Sequence, residues 1–235
     1  MYSRAAAAAA STVLLVSLAA CGPATSHDDA NSSTGSTAGP PDGKAGKGVA
    51  LSAAIDNLKA ADEHRTGYER DKFRLWDDAD HDGCDTRMEV LIAEAVKKPR
   101  EGKSCRLAGG SWKSYYDGKT LTNARQLDID HVVPLAEAWD SGASKWTAER
   151  REQYANDLDS DRSLVAVSLG SNRSKGDKDP AEWMPPSEFA ACTYVTDWVA
   201  AKLRWRLTAD GAEKTKLKQV AASCPNTKVR WKVAR

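Results

Sequence analysis

The chain has 235 residues, with 34 Lys and Arg against 33 Asp and Glu, for a formal net charge of +1. A total so near zero excludes arguing a polyanion partner from bulk charge. A composition 41% hydrophobic and 29% charged leaves enough apolar chain for a sizeable core, and there are no internal repeats.

The first 21 residues, MYSRAAAAAASTVLLVSLAAC, run from a single arginine, Arg4, through an apolar stretch to small residues, and read as a secretion signal. The end, Leu18-Ala19-Ala20-Cys21, resembles the lipobox of bacterial lipoproteins, which implies lipidation at Cys21 and a membrane-anchored or secreted, extracytoplasmic protein. Residues 22–48 are rich in Gly, Ser, Thr, Pro and Ala and read as a flexible tether. Residues 49–235 then form one domain.

Within that domain, 49–62 has apolar residues at helical spacing, and 86–97 predicts a second helix. The segment 102–122 reads as a hairpin region with turns near Gly109-Gly110 and Asp117-Gly118. LDIDHVV suits a buried strand ending near His131, and Pro134 predicts a turn after it. A short helix broken at Gly142 follows, then a helix over TAERREQYANDL capped by Thr147. SLVAVS (163–168) predicts a second strand, and GSNRSK a turn or helix start. Asp179, Pro180 and Glu182 predict another helix N-terminus. The longest helix is expected from Ser187 to about Leu207, and a last one from Thr208 or Asp210 to Cys224. Trp139, Trp183, Trp198 and Trp205 lie in helical patterns and read as core.

Four cysteines remain after Cys21: Cys84, Cys105, Cys192 and Cys224. An even number outside the cytosol points to two disulfides. Three pairings are open by counting, and the sequence-near pairs Cys84–Cys105 and Cys192–Cys224 are favoured. A structural zinc site is the competing use, but the close CxxC pairs it needs are absent. Residues 197–235 carry ten Lys and Arg against three acids, which fits either a surface for a polyanion or a solvated basic face.

The chemistry-bearing residues are Asp130, His131, Asn172 and Lys175. A histidine can act as general base near neutral pH. A carboxylate and an amide oxygen can hold one hard divalent cation that stabilises charge on a phosphate. Asp130 and His131 point to opposite sides if both lie on extended backbone, so a shared site requires the strand exit to break the alternation.

DIDHVVPL followed by SLVAVSLGSNRSKG resembles the HNH nuclease signature. More widely, GYERDKFRLW, CDTRMEVL, GGSWKSYYDG, DIDHVVPLAEAWDSGASKW, YANDL and NRSKGDKDPAEWMPP resemble secreted actinobacterial HNH-endonuclease-like proteins related to the C-terminal domain of a modification-dependent restriction system. The resemblance spans about residues 66–186. It implies an α+β fold with a His-Me finger (ββα-metal) HNH nuclease core and surrounding helices. The implied activity is metal-dependent endonucleolytic cleavage of DNA, with RNA as a second substrate, little sequence preference, and 3′-hydroxyl and 5′-phosphate ends.

By the same resemblance His131 is the general base. Asp130 and Asn172 are metal ligands for one divalent cation, Mg2+ first, with Mn2+, Ca2+ or Zn2+ as alternatives. Lys175 steadies the phosphate or leaving group, and Asn156 stands for the middle asparagine that holds the histidine through the backbone. Arg87, Arg173 and Lys178 are candidate phosphate contacts. A mere DNA-binding surface lipoprotein is the competing class, and it would have no use for the Asp130, His131 and Asn172 set. The stretch 78–89 also matches a calcium-loop pattern through Asp78, Asp80, Asp82 and Glu89. Asp85 stands where such loops carry an apolar residue, so the segment reads as structural, holding Cys84.

Overall fold

The computed structural model describes residues 48–235. The signal 1–21, its Cys21 and the tether to residue 47 lie outside the described residues. The architecture is mixed α+β, with small antiparallel sheets flanked by helices. β1 (Val49–Ala50) pairs antiparallel with β8 (Lys228–Val229). α1 (Leu51–Asp56) follows and is shorter than the periodicity of 49–62 predicts. Its continuation leaves the helix to pair elsewhere: Ala61 N donates to Ala209 O, and Ala209 N to Lys59 O.

α2 (Thr86–Glu94) is capped by Asp85, whose side chain accepts from Met88 N. It stops before residue 97 because Val96 N and Lys97 N both donate to Ser111 O. Two short hairpins follow, β2 (Arg100–Gly102) with β3 (Arg106–Ala108), and β4 (Trp112–Lys113) with β5 (Thr120–Leu121). The turn expected at Gly109-Gly110 is instead the link between hairpins. Gly110 has φ +90°, and a Cβ there would lie 2.7 Å from the Trp112 ring.

The centre of the fold is β6 (Leu127–His131) paired antiparallel with β7 (Leu164–Ser168), in a register from Leu127↔Ser168 to His131↔Leu164. The connection carries α3 (Leu135–Asp140) and α4 (Ala148–Ala155), the latter capped by Thr147. α5 (Leu169–Lys175) starts directly after β7, with the Ser168 side chain accepting from Ser171 N. The β6–β7–α5 unit is therefore strand, strand, helix. On one face of the pair, Leu127, Ile129, Leu164 and Ala166 pack with Trp112 and with Val90 and Leu91 of α2. Val165 and Val167 lie on the other face, in the main core.

The outer edge of β7 is covered by side chains and by the β4–β5 turn. Ala166 N donates to Glu94 Oε2 at 2.8 Å, and Tyr115 N donates to Ala166 O at 3.1 Å. Burial pushes Glu94 up to about 7 from 4.5. A carboxyl raised on folding contributes stability below its unfolded pKa and loses it as pH rises through the folded one. Stability is therefore expected to fall by about 2–3 kcal/mol between pH 4.5 and 7. Urea melts across that range should show the slope in the wild type and a flatter profile in Glu94→Gln.

α6 (Glu188–Trp205) runs through the main core, buried without a break from Tyr194 to Trp205, and α7 (Gly211–Ala222) packs beside it with Asp210 as cap. The helix expected at 179 is a single turn in which Asp179 Oδ1 accepts from Ala181 N and Glu182 N. Trp139, Trp198 and Trp205 are core, while Trp183 is half-buried at its edge. Among the described residues no helix is long and apolar enough to cross a membrane.

The disulfides are Cys84–Cys105 and Cys192–Cys224. The second closes a sequence separation of 32 residues between α6 and the end of α7. Replacing both of its cysteines by serine should lower stability by about 3–4 kcal/mol, read as a shift in the denaturant midpoint.

The basic C-terminal part is only partly a free cationic face: Arg206, Lys228, Arg230, Lys232 and Arg235 are exposed, while others are taken up by the fold. Lys202 and Arg204 are buried in ion pairs with Glu137, Glu213 and Asp157, Lys218 pairs with Asp56, and Lys214 Nζ donates to Leu58 O.

Candidate active site

The site is built at the C-terminal end of β6. His131 still pairs with Leu164, so the alternation of the strand holds to its last residue. The imidazole of His131 and the carboxylate of Asp130 accordingly leave on opposite sides. The alternation is not broken, so the two groups do not share one pocket, and a phosphodiester that meets both must cross the end of the strand.

The His131 ring is buried, with Trp76 stacked at 6.2 Å between centroids and Tyr154 at 6.0 Å. Its Nε2 lies 3.0 Å from the carbonyl of Ala155, the last residue of α4. A carbonyl oxygen only accepts, so Nε2 carries the hydrogen and Nδ1 keeps the lone pair. Burial pushes the ring down to about 4, against the raising effect of the Ala155 carbonyl, so the imidazole is neutral at physiological pH.

The end of α4 that presents this carbonyl is clamped twice. Asn156 donates from Nδ2 to Arg74 O and Glu152 O, and its Oδ1 accepts from Asp77 N and Thr86 Oγ1. Every donor and acceptor of that amide is engaged. Asn156 therefore does not touch His131. It is a positioning residue, one step along the chain from the carbonyl that does. Asp157 accepts from Arg204 through two nitrogens, each at 2.7 Å, and also from Trp205 Nε1 and Ser163 Oγ.

On the other side of β6, Asp130 Oδ2 accepts from Lys175 Nζ at 2.7 Å and from the Tyr116 hydroxyl at 2.6 Å. Lys175 is fully buried and also donates to His131 O at 2.9 Å. Lys175 thus ties Asp130 to the backbone of His131 and is not free to meet a substrate phosphate in this arrangement. Desolvation pulls its pKa below the ordinary lysine value, and Asp130 pulls it back up.

Asn172 donates from Nδ2 to Asp128 Oδ2 at 2.9 Å. Its direct partner is thus Asp128, two residues before Asp130 on the same face. The described hydrogen bonds leave Asp130 Oδ1 and Asn172 Oδ1 open. Asp128, Asp130 and Asn172 offer oxygen atoms only, the donor type a hard divalent cation takes, so the chemistry of these residues fits such an ion.

Of the other candidates, Arg87 Nη2 donates to Leu127 O at 2.9 Å and orients the start of β6. Arg173 is exposed on α5, and Lys178, exposed beyond it, donates to Ser174 O. Residues that sequence reasoning missed are Asp128, Tyr116, Trp76 and the Ala155 carbonyl. Asp128 was reachable, since period two puts it on the face of Asp130. The others meet the site through long-range packing and carry no local signal.

In the acidic loop, Asp78 Oδ2 accepts from Gly83 N and Asp82 Oδ1 from Cys84 N, so the carboxylates shape their own turn. Carboxylate oxygens of Asp78, Asp80 and Asp82 lie within 4.8 Å of one another. A cleft of about 640 Å³ borders the end of α4, lined by Asn156, Asp157, Glu149, Glu152, Arg204 and Lys232 among others. Its mixed charge does not suit a phosphate groove, and His131 does not line it.

Residues 85–220 match the family described as GmrSD restriction endonucleases, C-terminal domain. The chain belongs to this family. That span holds β6, β7, α5 and both clamps of the histidine. A secreted protein of Arthroderma benhamiae, itself described as uncharacterized, is 43% identical over 158 residues, covering 67% of this chain and 76% of that one. No solved structure matches the chain. With the family shown, the mixed α+β architecture is the setting of an HNH-like ββα-metal core.

Proposed function

We propose that this member of the GmrSD C-terminal family is a metal-dependent endonuclease that hydrolyses phosphodiester bonds in DNA, with His131 as general base. The observation that carries the reading is the Ala155 carbonyl on His131 Nε2, which leaves Nδ1 as the proton-accepting atom of a neutral, rigidly held ring. Family membership supports the reaction class.

In this reading Nδ1 takes the proton of a water that attacks the phosphorus, and the phosphodiester lies across the end of β6. Asp130 and Asn172, with Asp128 behind Asn172, hold one divalent cation, Mg2+ first. Such an ion supplies electrostatic stabilisation of the phosphoryl oxygens and the departing 3′ oxygen. Lys175 holds Asp130 in place. The exposed Arg173 and Lys178 are the phosphate contacts nearest in sequence to Asn172. In this reading sequence preference is weak and the products carry 5′-phosphates.

Lys202 and Arg204 are core residues, which reduces the cations left to a non-catalytic DNA binder acting through the basic C-terminal part. The signal-like start and the secreted relative support an extracytoplasmic place; in this reading the lipobox-like end of the signal makes Cys21 the site of a lipid anchor.

The test is incubation of the protein with plasmid DNA and with RNA, with Mg2+, Mn2+ or a chelator. Cutting that needs the metal and leaves 5′-phosphates is expected. No cutting with any divalent ion would overturn the reading. Detergent partition of wild type against Cys21→Ser reads the anchor.

A further inference from the structure

Away from β6 and α5, carboxylates from four segments gather around one buried lysine. Lys202 Nζ donates to Glu137 Oε1 at 2.7 Å, Glu213 Oε2 at 2.5 Å, Thr208 O at 2.8 Å and Ser141 Oγ at 3.1 Å. Glu63 arrives because residues 59–61 pair with Ala209, just before the cap of α7. Asp140 stands at the end of α3, and Asp179 in the turn after α5. Ligand oxygens of Glu63, Glu137 and Asp140 lie within 4.8 Å of one another, and so do those of Glu63, Asp179 and Glu213. The nearby cations Lys202 and Arg65 do not balance those five acids.

Asp140 adds an independent observation. Its side chain is 2% exposed, Oδ2 accepts from Arg65 Nε, and Oδ1 is buried with no hydrogen-bond partner. An ionised carboxylate can only accept, so neither Glu63 nor Glu137 satisfies it while charged. A buried oxygen left so is costly unless something electropositive meets it.

We propose that Glu63, Glu137 and Asp140 bind one hard divalent cation, Ca2+ in preference to Mg2+, with Asp179 and Glu213 closing the far side. The donors are all oxygen, with no histidine or cysteine in either group. They come from separate segments rather than one rigid octahedral frame, which suits the larger ion with its many, variable ligands. The ion ties the segment after α1 to α3 and α7. Its role is structural, and it uses none of the residues assigned to phosphodiester hydrolysis.

The experiment is a thermal melt of the whole protein, stripped by chelator, at pH 8 with added Ca2+ or Mn2+, against NaCl of equal ionic strength. The wild type should gain about 5–10 °C with the ion at about 100 times its Kd. Glu63→Gln, at the surface, should fold and lose that gain, and its bound Mn2+ counted by electron paramagnetic resonance should fall by one. The loop variant Asp80→Asn/Asp82→Asn should keep the gain. A wild-type melt indifferent to both ions overturns the proposal, as does a full gain in Glu63→Gln or a gain lost only in the loop variant. Because the readout is stability, its failure leaves the nuclease reading standing, and the reverse.

Discussion

His131→Ala is expected to cut plasmid DNA at least about 100-fold more slowly than the wild type, the usual contribution of a positioned general base. The expectation rests on tautomer control. The Ala155 carbonyl leaves Nε2 the hydrogen and Nδ1 the lone pair, and the stacked rings of Trp76 and Tyr154 hold the ring. Removing a side chain from such a place also leaves a cavity. His131→Asn, closer in volume, should therefore be measured beside it, with circular dichroism to show that both are folded. Both variants should lose the same activity if proton transfer is what His131 supplies. Cutting by either folded variant at the wild-type rate would remove His131 from the chemistry.

Asp130→Asn carries the second large effect, and it acts on stability as well as activity. Lys175 is fully buried against a carboxylate that is itself only 10% exposed. Taking the charge off Asp130 leaves a buried ammonium with the His131 carbonyl as its remaining close acceptor, a loss of about 3–5 kcal/mol. The double variant Asp130→Asn/Lys175→Met removes the orphaned charge as well and should recover most of the denaturant midpoint. It should not recover cutting, because the ligand is still missing. That separation distinguishes a carboxylate that binds metal from one that only neutralises Lys175. Wild-type cutting by the double variant would assign Asp130 the second role alone, and an unchanged midpoint in Asp130→Asn would contradict the buried pair.

Much of this frame was legible in the chain. LDIDHVV and SLVAVS are short and β-branched between turn signals, and they hold the two strands of the central pair. GSNRSK continues as α5, Thr147 caps the helix it was expected to cap, and of Thr208 and Asp210, both open as the start of the last helix, Asp210 is the cap. Periodicity misled where a long-range backbone partner won. The helix pattern over 49–62 gives way after Asp56 because residues 59–61 pair with Ala209. The cap signal at Asp179 is obeyed locally, yet only one turn forms before the Pro185-Pro186 stop. The ten cations of the C-terminal part looked like a surface, but two of them neutralise carboxylates inside the core.

The sequence by itself determined the strand–strand–helix order, the family and the placement of His131 at the end of a buried strand, while whether Asp130 follows the alternation or turns inward was left to the structure. These follow from period-two geometry and local side-chain chemistry, which act over a few residues. Only the tertiary structure decided that Asn172 meets Asp128, that Lys175 is locked between Asp130 and the His131 carbonyl, and that Ala155 rather than Asn156 touches the imidazole. Each of those contacts joins residues 24 to 45 apart in the chain. A desolvated polar atom must find a partner, and which one it finds depends on which helix end or strand the packing brings alongside.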